Sequence, residues 1–355
     1  MEIEVPTDAT FIHIISKINS HKNRENNIMS SPYSIPTIHL NSSDKIREAK
    51  KLRSACTNVG FFYLESHGLS KDRVDEVFAA SKEFFKLPLV EKQRISDHAL
   101  TRGYTAMEEQ TLDPSNQTKG DTKEGFYIRQ DIPKDHSLYN PAKLSGPNVW
   151  PGECGPCSLS DHRRWKKTMK EYFASCCEIG FRLQRLIALS LGLDENFFDP
   201  HFVDNPVATL RLLHYSIEES RPELGVYACG AHSDFGMLTI LLTDKNPGLQ
   251  IKTLEDEWIP VPPREGAFIV NLGDLLERWT NGFYLSTVHR VISEGSSERY
   301  SVPFFYEPNF DTVVKVLECC IDEGDTLPKY PPITSGKHLL EKLSQTHADF
   351  NPNDQ

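Results

Sequence analysis

The feature that most limits the fold is a change of texture after Pro206. Beyond it, six short runs rich in β-branched and aromatic residues follow one another: Ala208 to Tyr215, Leu238 to Leu242, Leu249 to Lys252, Ala267 to Leu272, Ser286 to Ile292 and Tyr300 to Tyr306. Gly, Pro, Asn and Asp separate them, and a single short helix pattern, Asp274 to Trp279, interrupts them. A doubly wound sheet needs a full helix between successive strands. This spacing therefore predicts a barrel or a double-sheet jelly roll.

The first half has a mixed pattern. Residues 1–34 are polar and rich in Asn, Lys and Ser, which predicts a flexible tail. A strand-like Ile35-Pro-Thr-Ile-His-Leu is followed by a helix pattern from Asp44 to Cys56 and an apolar strand at Gly60-Phe-Phe-Tyr-Leu. Val74, Val77, Phe78, Ser81, Phe84 and Phe85 recur at helical spacing behind Ser70, a residue suited to cap a helix. Leu87 to Pro156 reads as loop-rich and is a candidate lid. The longest helix pattern runs from about Ser160 to Leu191, where Trp165, Met169, Tyr172, Cys176, Leu183 and Ile187 form one stripe. The expected class is mainly β with flanking helices: an N-terminal helical part at 35–205, a β core at 206–310 and a C-terminal helix and tail at 333–355.

Fifty acidic against 39 basic residues leave a formal charge of −11, which disfavours nucleic acid and anionic membrane surfaces and favours a small-molecule substrate. No run approaches the roughly 18 to 20 apolar residues of a membrane span, and no export signal opens the chain. The eight cysteines include the adjacent pairs Cys176-Cys177 and Cys319-Cys320, a poor disulfide framework. The expectation is a cytoplasmic monomer with reduced thiols. Cys154-Gly-Pro-Cys157 has thioredoxin-like spacing, but it follows Pro151-Gly-Glu and is separated from the next helix by Ser158-Leu-Ser-Asp, so it reads as a loop turn.

Chemistry concentrates in the β half. In His232-Ser-Asp234, side chains at i and i+2 of a strand share a face about 6.5 to 7 Å apart, so an imidazole and a carboxylate can converge on one ion. His289 follows Asp234 by 55 residues, a loop whose closure costs on the order of 3.5 kcal/mol. A scaffold must therefore bring it back. Two His and one carboxylate make the facial set that leaves open positions on a non-haem Fe(II) ion. Arg299-Tyr-Ser301 then offers a guanidinium fork and a hydroxyl on one strand face, suited to a carboxylate. With neutral imidazoles, Fe(II), Asp234, Arg299 and a bound dicarboxylate together carry no net charge, which a dry pocket tolerates.

Set within Gly230-Ala-His-Ser-Asp-Phe-Gly, Pro247-Gly-Leu-Gln and Asn271-Leu-Gly-Asp, this pattern resembles the plant-type Fe(II)- and 2-oxoglutarate-dependent dioxygenases of the isopenicillin N synthase fold. Gly60-Phe-Phe-Tyr, His67-Gly68, Pro147-Asn-Val-Trp-Pro, Asn281-Gly-Phe-Tyr and Phe304-Phe-Tyr-Glu-Pro add to the likeness, which runs from Ile35 to Pro332 and is closest in texture to hyoscyamine-hydroxylase-like members. The resemblance implies a double-stranded β-helix core. It implies Fe(II) on His232, Asp234 and His289, and 2-oxoglutarate as cosubstrate on Arg299 and Ser301 with Tyr215 in contact. It also places Arg211, Phe126, Tyr127, Phe305 and Tyr306 at substrate-pocket positions.

Where the family often has Asn before and Pro after that tyrosine, Leu213 and Ser216 stand here. The implied activity is O2-dependent hydroxylation, or desaturation or ring closure, of a small specialised metabolite with release of succinate and CO2. Asp234 argues against halogenation, which needs a small residue there. Two alternatives stay open: an Fe(II) oxidase with the same triad but no 2-oxoglutarate, and a non-catalytic jelly-roll binding protein.

Overall fold

In a computed structural model, the described residues are 34–97, 101–203, 205–321 and 327–346. The expected tail, apart from Ser34, and the chain beyond Thr346 lie outside them. Six α-helices are described: α1 Lys45–Asn58, α2 Lys71–Phe85, α3 Leu89–Gln93, α4 His162–Ser190, α5 Asp274–Trp279 and α6 Ser335–Thr346. Strands before Pro206 are β1 Thr37–His39, β2 Phe61–Glu65, β3 Ser96–Asp97, β4 Arg102–Thr105 and β5 Lys123–Arg129. After it come β6 Pro206–Tyr215, β7 Cys229–His232, β8 Leu238–Thr243, β9 Leu249–Lys252, β10 Trp258–Pro260, β11 Phe268–Leu272, β12 His289–Val291, β13 Arg299–Asn309, β14 Val313–Val314 and β15 Ile333–Thr334.

The helix starts follow from their caps. Asp44, Ser70 and Asp161 each accept a hydrogen bond from the backbone N–H three residues on, at 2.9, 3.3 and 2.9 Å. α4 then buries Trp165, Met169, Tyr172, Cys176, Leu183 and Ile187 on one face. Nine strands form one sheet in the order β1-β2-β11-β8-β13-β6-β5-β4-β3, and four form a second, β10-β9-β12-β7. The protein is thus mainly β-sheet with flanking helices. No helix among the described residues is long and apolar enough to cross a membrane.

Alternation along the central strands separates two cores. Phe126, Tyr300, Val302, Phe304 and Tyr306 join Phe84, Trp165, Tyr172 and Leu183 in a cluster between large sheet and helices. Phe61, Tyr63, Leu213, Tyr215, Leu249, Ile251 and Val291 form a second, drawing on both sheets. Helix α4 comes so close to β13 that a Cβ at Gly180 would lie 2.7 Å from the Tyr306 ring.

The stretch 87–156 is loop-rich as expected, but it also carries α3 and β3 to β5, and β5, buried along its whole length, pairs with β4 and β6 inside the large sheet. The stretch 35–205 therefore supplies strands to that sheet as well as helices. The strand expected over Ser286 to Ile292 is only His289–Val291, while Cys229-Gly-Ala, expected as a turn, begins β7.

Candidate functional site

The cavity between the sheets is floored by rows that cross β5, β6 and β13. Lys123, Tyr215 and Arg299 form one row, and Gly125, Leu213 and Ser301 the next. Tyr127 pairs with Arg211, then Arg129 with Thr209, which in turn pairs with Phe305. Because side chains two apart share a face, all of these project toward the small sheet.

His232 ends β7 and His289 begins β12, and the two residues are directly paired, with ring centroids 4.3 Å apart. Each imidazole is oriented from behind, His232 Nδ1 lying 2.9 Å from the Gly230 carbonyl and His289 Nδ1 3.1 Å from that of Thr287. If Nδ1–H donates in both, each Nε2 is left with its lone pair toward the cavity. Asp234 Oδ1 lies 3.7 and 3.8 Å from these two Nε2 atoms.

Asp234 is not on the strand with His232, as the i, i+2 spacing suggested. It sits in the turn after β7, which the start of α5 grips: Asp274 N–H donates to the Asp234 carbonyl at 2.8 Å and Leu275 N–H to that of Gly236 at 3.0 Å. Its Oδ2 accepts from Thr239 Oγ1 at 2.5 Å and Asn271 Nδ2 at 2.7 Å, so Oδ1 stays free to turn to the histidines.

One ligand atom from each of His232, Asp234 and His289 falls within 4.8 Å of the others, a cluster able to hold a metal ion. Burial pushes His289 down to about 4, which keeps its ring neutral near pH 7. Burial works to raise Asp234, but the imidazoles and the Asn271 and Thr239 hydrogen bonds hold it below the ordinary carboxylate value. The neighbouring Cys229 is pushed up to about 12 by burial and stays a thiol.

The same cavity is lined by Arg299, Ser301 and Tyr215. The Arg299 guanidinium lies over the Tyr215 ring, 4.8 Å from its centre. Arg299 Nε and Nη1 and Ser301 Oγ are buried with no hydrogen-bond partner among the described residues. A guanidinium in that condition is costly unless an anion meets it. The orphaned donors, and a donor set of two imidazoles and a carboxylate, fit a bound dicarboxylate beside a metal ion.

Of the residues expected at the substrate pocket, Arg211, Tyr127 and Phe305 line a second cavity of about 90 Å³ that meets the first at His232 and Asp234. Phe126 and Tyr306 do not. Each lies one position out of phase with the cavity row, so both face the helices: Phe126 packs edge-on to Phe84 and Trp165, Tyr306 stacks on Phe202.

Sequence reasoning missed Asp121 and Lys123. This buried ion pair holds the metal-site strand, for Asp121 Oδ1 accepts from Gly230 N–H at 2.8 Å and the Gly230 carbonyl meets His232. Burial opposes the Lys123 charge, yet Asp121 keeps Lys123 above the ordinary lysine value. Asn271 stood within a quoted motif without a role. Glu307, at the second cavity, likewise stood within a quoted motif without a role, and Arg129 beside it carried no signal beyond its charge.

Two imidazoles and one carboxylate converging between two sheets are a donor set that suits a mononuclear non-haem iron centre. Residues 35–153 match the family described as non-haem dioxygenase in morphine synthesis N-terminal, and residues 206–308 match the 2OG-Fe(II) oxygenase superfamily. A 2-oxoglutarate-Fe(II) type oxidoreductase of Emericella nidulans is 38% identical over 84% of each chain. Kihadalactone A synthase of Citrus sinensis is 36% identical over 89% of this chain and 93% of its own. The solved structure of Neurospora crassa T7H in complex with alpha-KG and thymine is 30% identical, with a TM-score of 0.75 over 90% of this chain and 98% of that one. The chain belongs to the 2-oxoglutarate- and Fe(II)-dependent oxygenase superfamily. It is a 2-oxoglutarate-dependent dioxygenase whose cofactor is Fe(II) and whose cosubstrates are 2-oxoglutarate and O2.

Proposed function

We propose that His232, Asp234 and His289 hold the Fe(II), that Arg299 and Ser301 take the distal carboxylate of 2-oxoglutarate beside Tyr215, and that the chain hydroxylates a small specialised metabolite. Desaturation, ring closure or demethylation are further outcomes of the same C–H attack. In this reading the two sheets are the double-stranded β-helix, with residues 206–310 as the core that carries the iron.

The observation that carries the cosubstrate assignment is the orphaned donor set of Arg299 and Ser301 in the cavity of the triad. Bound together, Fe(II), 2-oxoglutarate and O2 supply oxidative decarboxylation to succinate and CO2 and the oxidising power for the substrate. The chain's own residues do the placing. Gly230 and Thr287 carbonyls aim the imidazoles, Asn271 and Thr239 fix the carboxylate, and Arg299 sets the reach of the dicarboxylate. Leu213, which lies beside Ser301 in the cavity row, presents no amide, so Ser301 and Arg299 carry the recognition of the carboxylate. Arg211, Tyr127 and Phe305 would face the metabolite. Names among the relatives, kihadalactone A synthase for one, support a small organic substrate.

Anaerobic titration of metal-free protein with Fe(II) and then 2-oxoglutarate, followed by exposure to O2 with a metabolite mixture, tests the reading. Saturable 2-oxoglutarate binding and succinate release are expected. Oxidation of a metabolite without succinate would instead favour the oxidase that uses the same triad alone.

A further inference from the structure

The second cavity holds more positive charge than the cosubstrate chemistry uses. Fe(II), Asp234, Arg299 and 2-oxoglutarate balance one another, and Lys123 balances Asp121. That leaves Arg129 and Arg211 facing the cavity with one acidic group, Glu307, at the same end. Whether Glu307 is ionised or protonated, the remainder is positive. Neither guanidinium has a carboxylate within salt-bridge distance among the described residues.

Both arginines are more than nine-tenths buried. Arg211 Nη1 donates to Gln110 Oε1 at 2.8 Å, and its guanidinium lies 4.4 Å from the centre of the Tyr127 ring. Arg211 Nε and Arg129 Nε and Nη1 have no hydrogen-bond partner among the described residues. Unmet N–H groups on buried cations call for an anion. Apart from Thr209, the remaining walls are apolar, with Leu112, Phe235, Phe305, Leu339 and Leu343.

We infer that the substrate is a monoanionic organic acid, whose carboxylate meets Arg129 and Arg211 while an apolar body lies along Phe235, Phe305 and Leu339. With Glu307 ionised, one negative charge balances the two arginines; with Glu307 protonated, one positive charge is left over, so a single carboxylate is met by positive charge in either state. This rests on the reading above that the cavity beside the triad receives the substrate.

The test is calorimetric binding to anaerobic protein saturated with Fe(II) and 2-oxoglutarate, the latter keeping Arg299 occupied. Phenylacetate, cinnamate and octanoate are each compared with their methyl esters. At least one acid is expected to bind about tenfold or more tightly than its ester, and Arg129→Gln to remove that preference while leaving the ester unchanged. Glu307→Gln is expected to tighten acid binding several-fold, an opposite change that decides the matter if Arg129→Gln does not fold.

Acids that bind no better than their esters overturn the inference, as do acids displaced by excess 2-oxoglutarate and insensitive to Arg129→Gln. The cosubstrate titration in the same samples separates the two levels. Absence of 2-oxoglutarate binding defeats the functional reading itself; binding of 2-oxoglutarate without any acid preference defeats this inference alone.

Discussion

On the helix side of β5, Glu124 accepts from Lys92 Nζ at 2.6 Å, Tyr104 Oη at 2.7 Å and His214 Nδ1 at 2.8 Å. On the other side of the same sheet, Arg129, Arg211, Arg299 and Ser301 are equally buried and keep donors with no partner. Both faces carry charge out of water, and burial alone does not tell them apart. Between Glu124 and these cavity residues, satisfaction does. A buried charge surrounded by partners rigidifies the fold, whereas open donors that line a cavity can be completed by something that binds.

That contrast breaks most sharply at the triad. Asp234→Ala is expected to abolish Fe(II)-dependent succinate formation, a loss of about a thousandfold or more, and to weaken iron binding measured by metal titration. Glu124→Gln, on the saturated face, is expected to cost about 2 to 3 kcal/mol in denaturant unfolding, because it loosens charge-assisted bonds. Iron and 2-oxoglutarate affinity should stay within about twofold of the parent in protein that remains folded. A Glu124 variant that folds normally yet loses cosubstrate binding would erase the distinction between the faces.

A smaller change sharpens it. Arg299→Lys retains the charge but loses the planar fork, so the dissociation constant for 2-oxoglutarate should rise about ten- to a hundredfold with little change in melting temperature. Equal affinity in parent and variant would remove Arg299 from the cosubstrate site.

The cavity face also has a cost that appears with pH. Burial pushes Glu307 up to about 7 from an ordinary 4.5, so the folded chain holds that proton more tightly than the unfolded chain. Stability from this group is therefore lost as pH rises from about 4.5 to 7. His289, pushed down by burial from 6.5 to about 4, acts in the opposite sense: its contribution is lost as pH falls through that window. The two slopes oppose each other in the metal-free parent, which hides both. Subtracting the parent curve from that of Glu307→Gln isolates the first, and the variant should gain up to about 3 kcal/mol above pH 7 relative to pH 4.5. A flat difference curve would mean that Glu307 is solvated rather than sealed in the cavity.

How much of this could be read from the sequence depends on which residues meet within one strand. Arg299 and Ser301 were legible because a period of two places them on one face, and Arg211 follows Tyr215 by the same parity. That parity also sends Tyr306 away from Phe305, so its position among the helices was readable in principle. Phe126 against Tyr127 was not, since their phase depends on β5 pairing with β6. Nor was β5 itself. Lys123, Glu124 and Arg129 look like loop residues until Asp121, Lys92, Tyr104 and His214 are seen around them. The Asp234 placement depends on Thr239, Asn271 and the start of α5, contacts that the sequence separates.

Cys154 and Cys157 provide the smallest predicted effect and a third kind of polar site, one facing water. Cys154 is exposed and Cys157 partly so, and both are free thiols. A redox pair of this spacing gains its reactivity from a thiol at a helix N-terminus. Here that position belongs to Asp161, which caps Arg164 N–H, while Glu91 and Glu83 take the N–H groups of Ser158 and Ser160 before it. Anions already occupy the donors that would have stabilised a thiolate. Replacing both cysteines by Ser should leave succinate formation within about twofold and shift the melting temperature by no more than about 2 °C, as surface substitutions do. A tenfold loss that depended on added reductant would show that this turn belongs with the functional face after all.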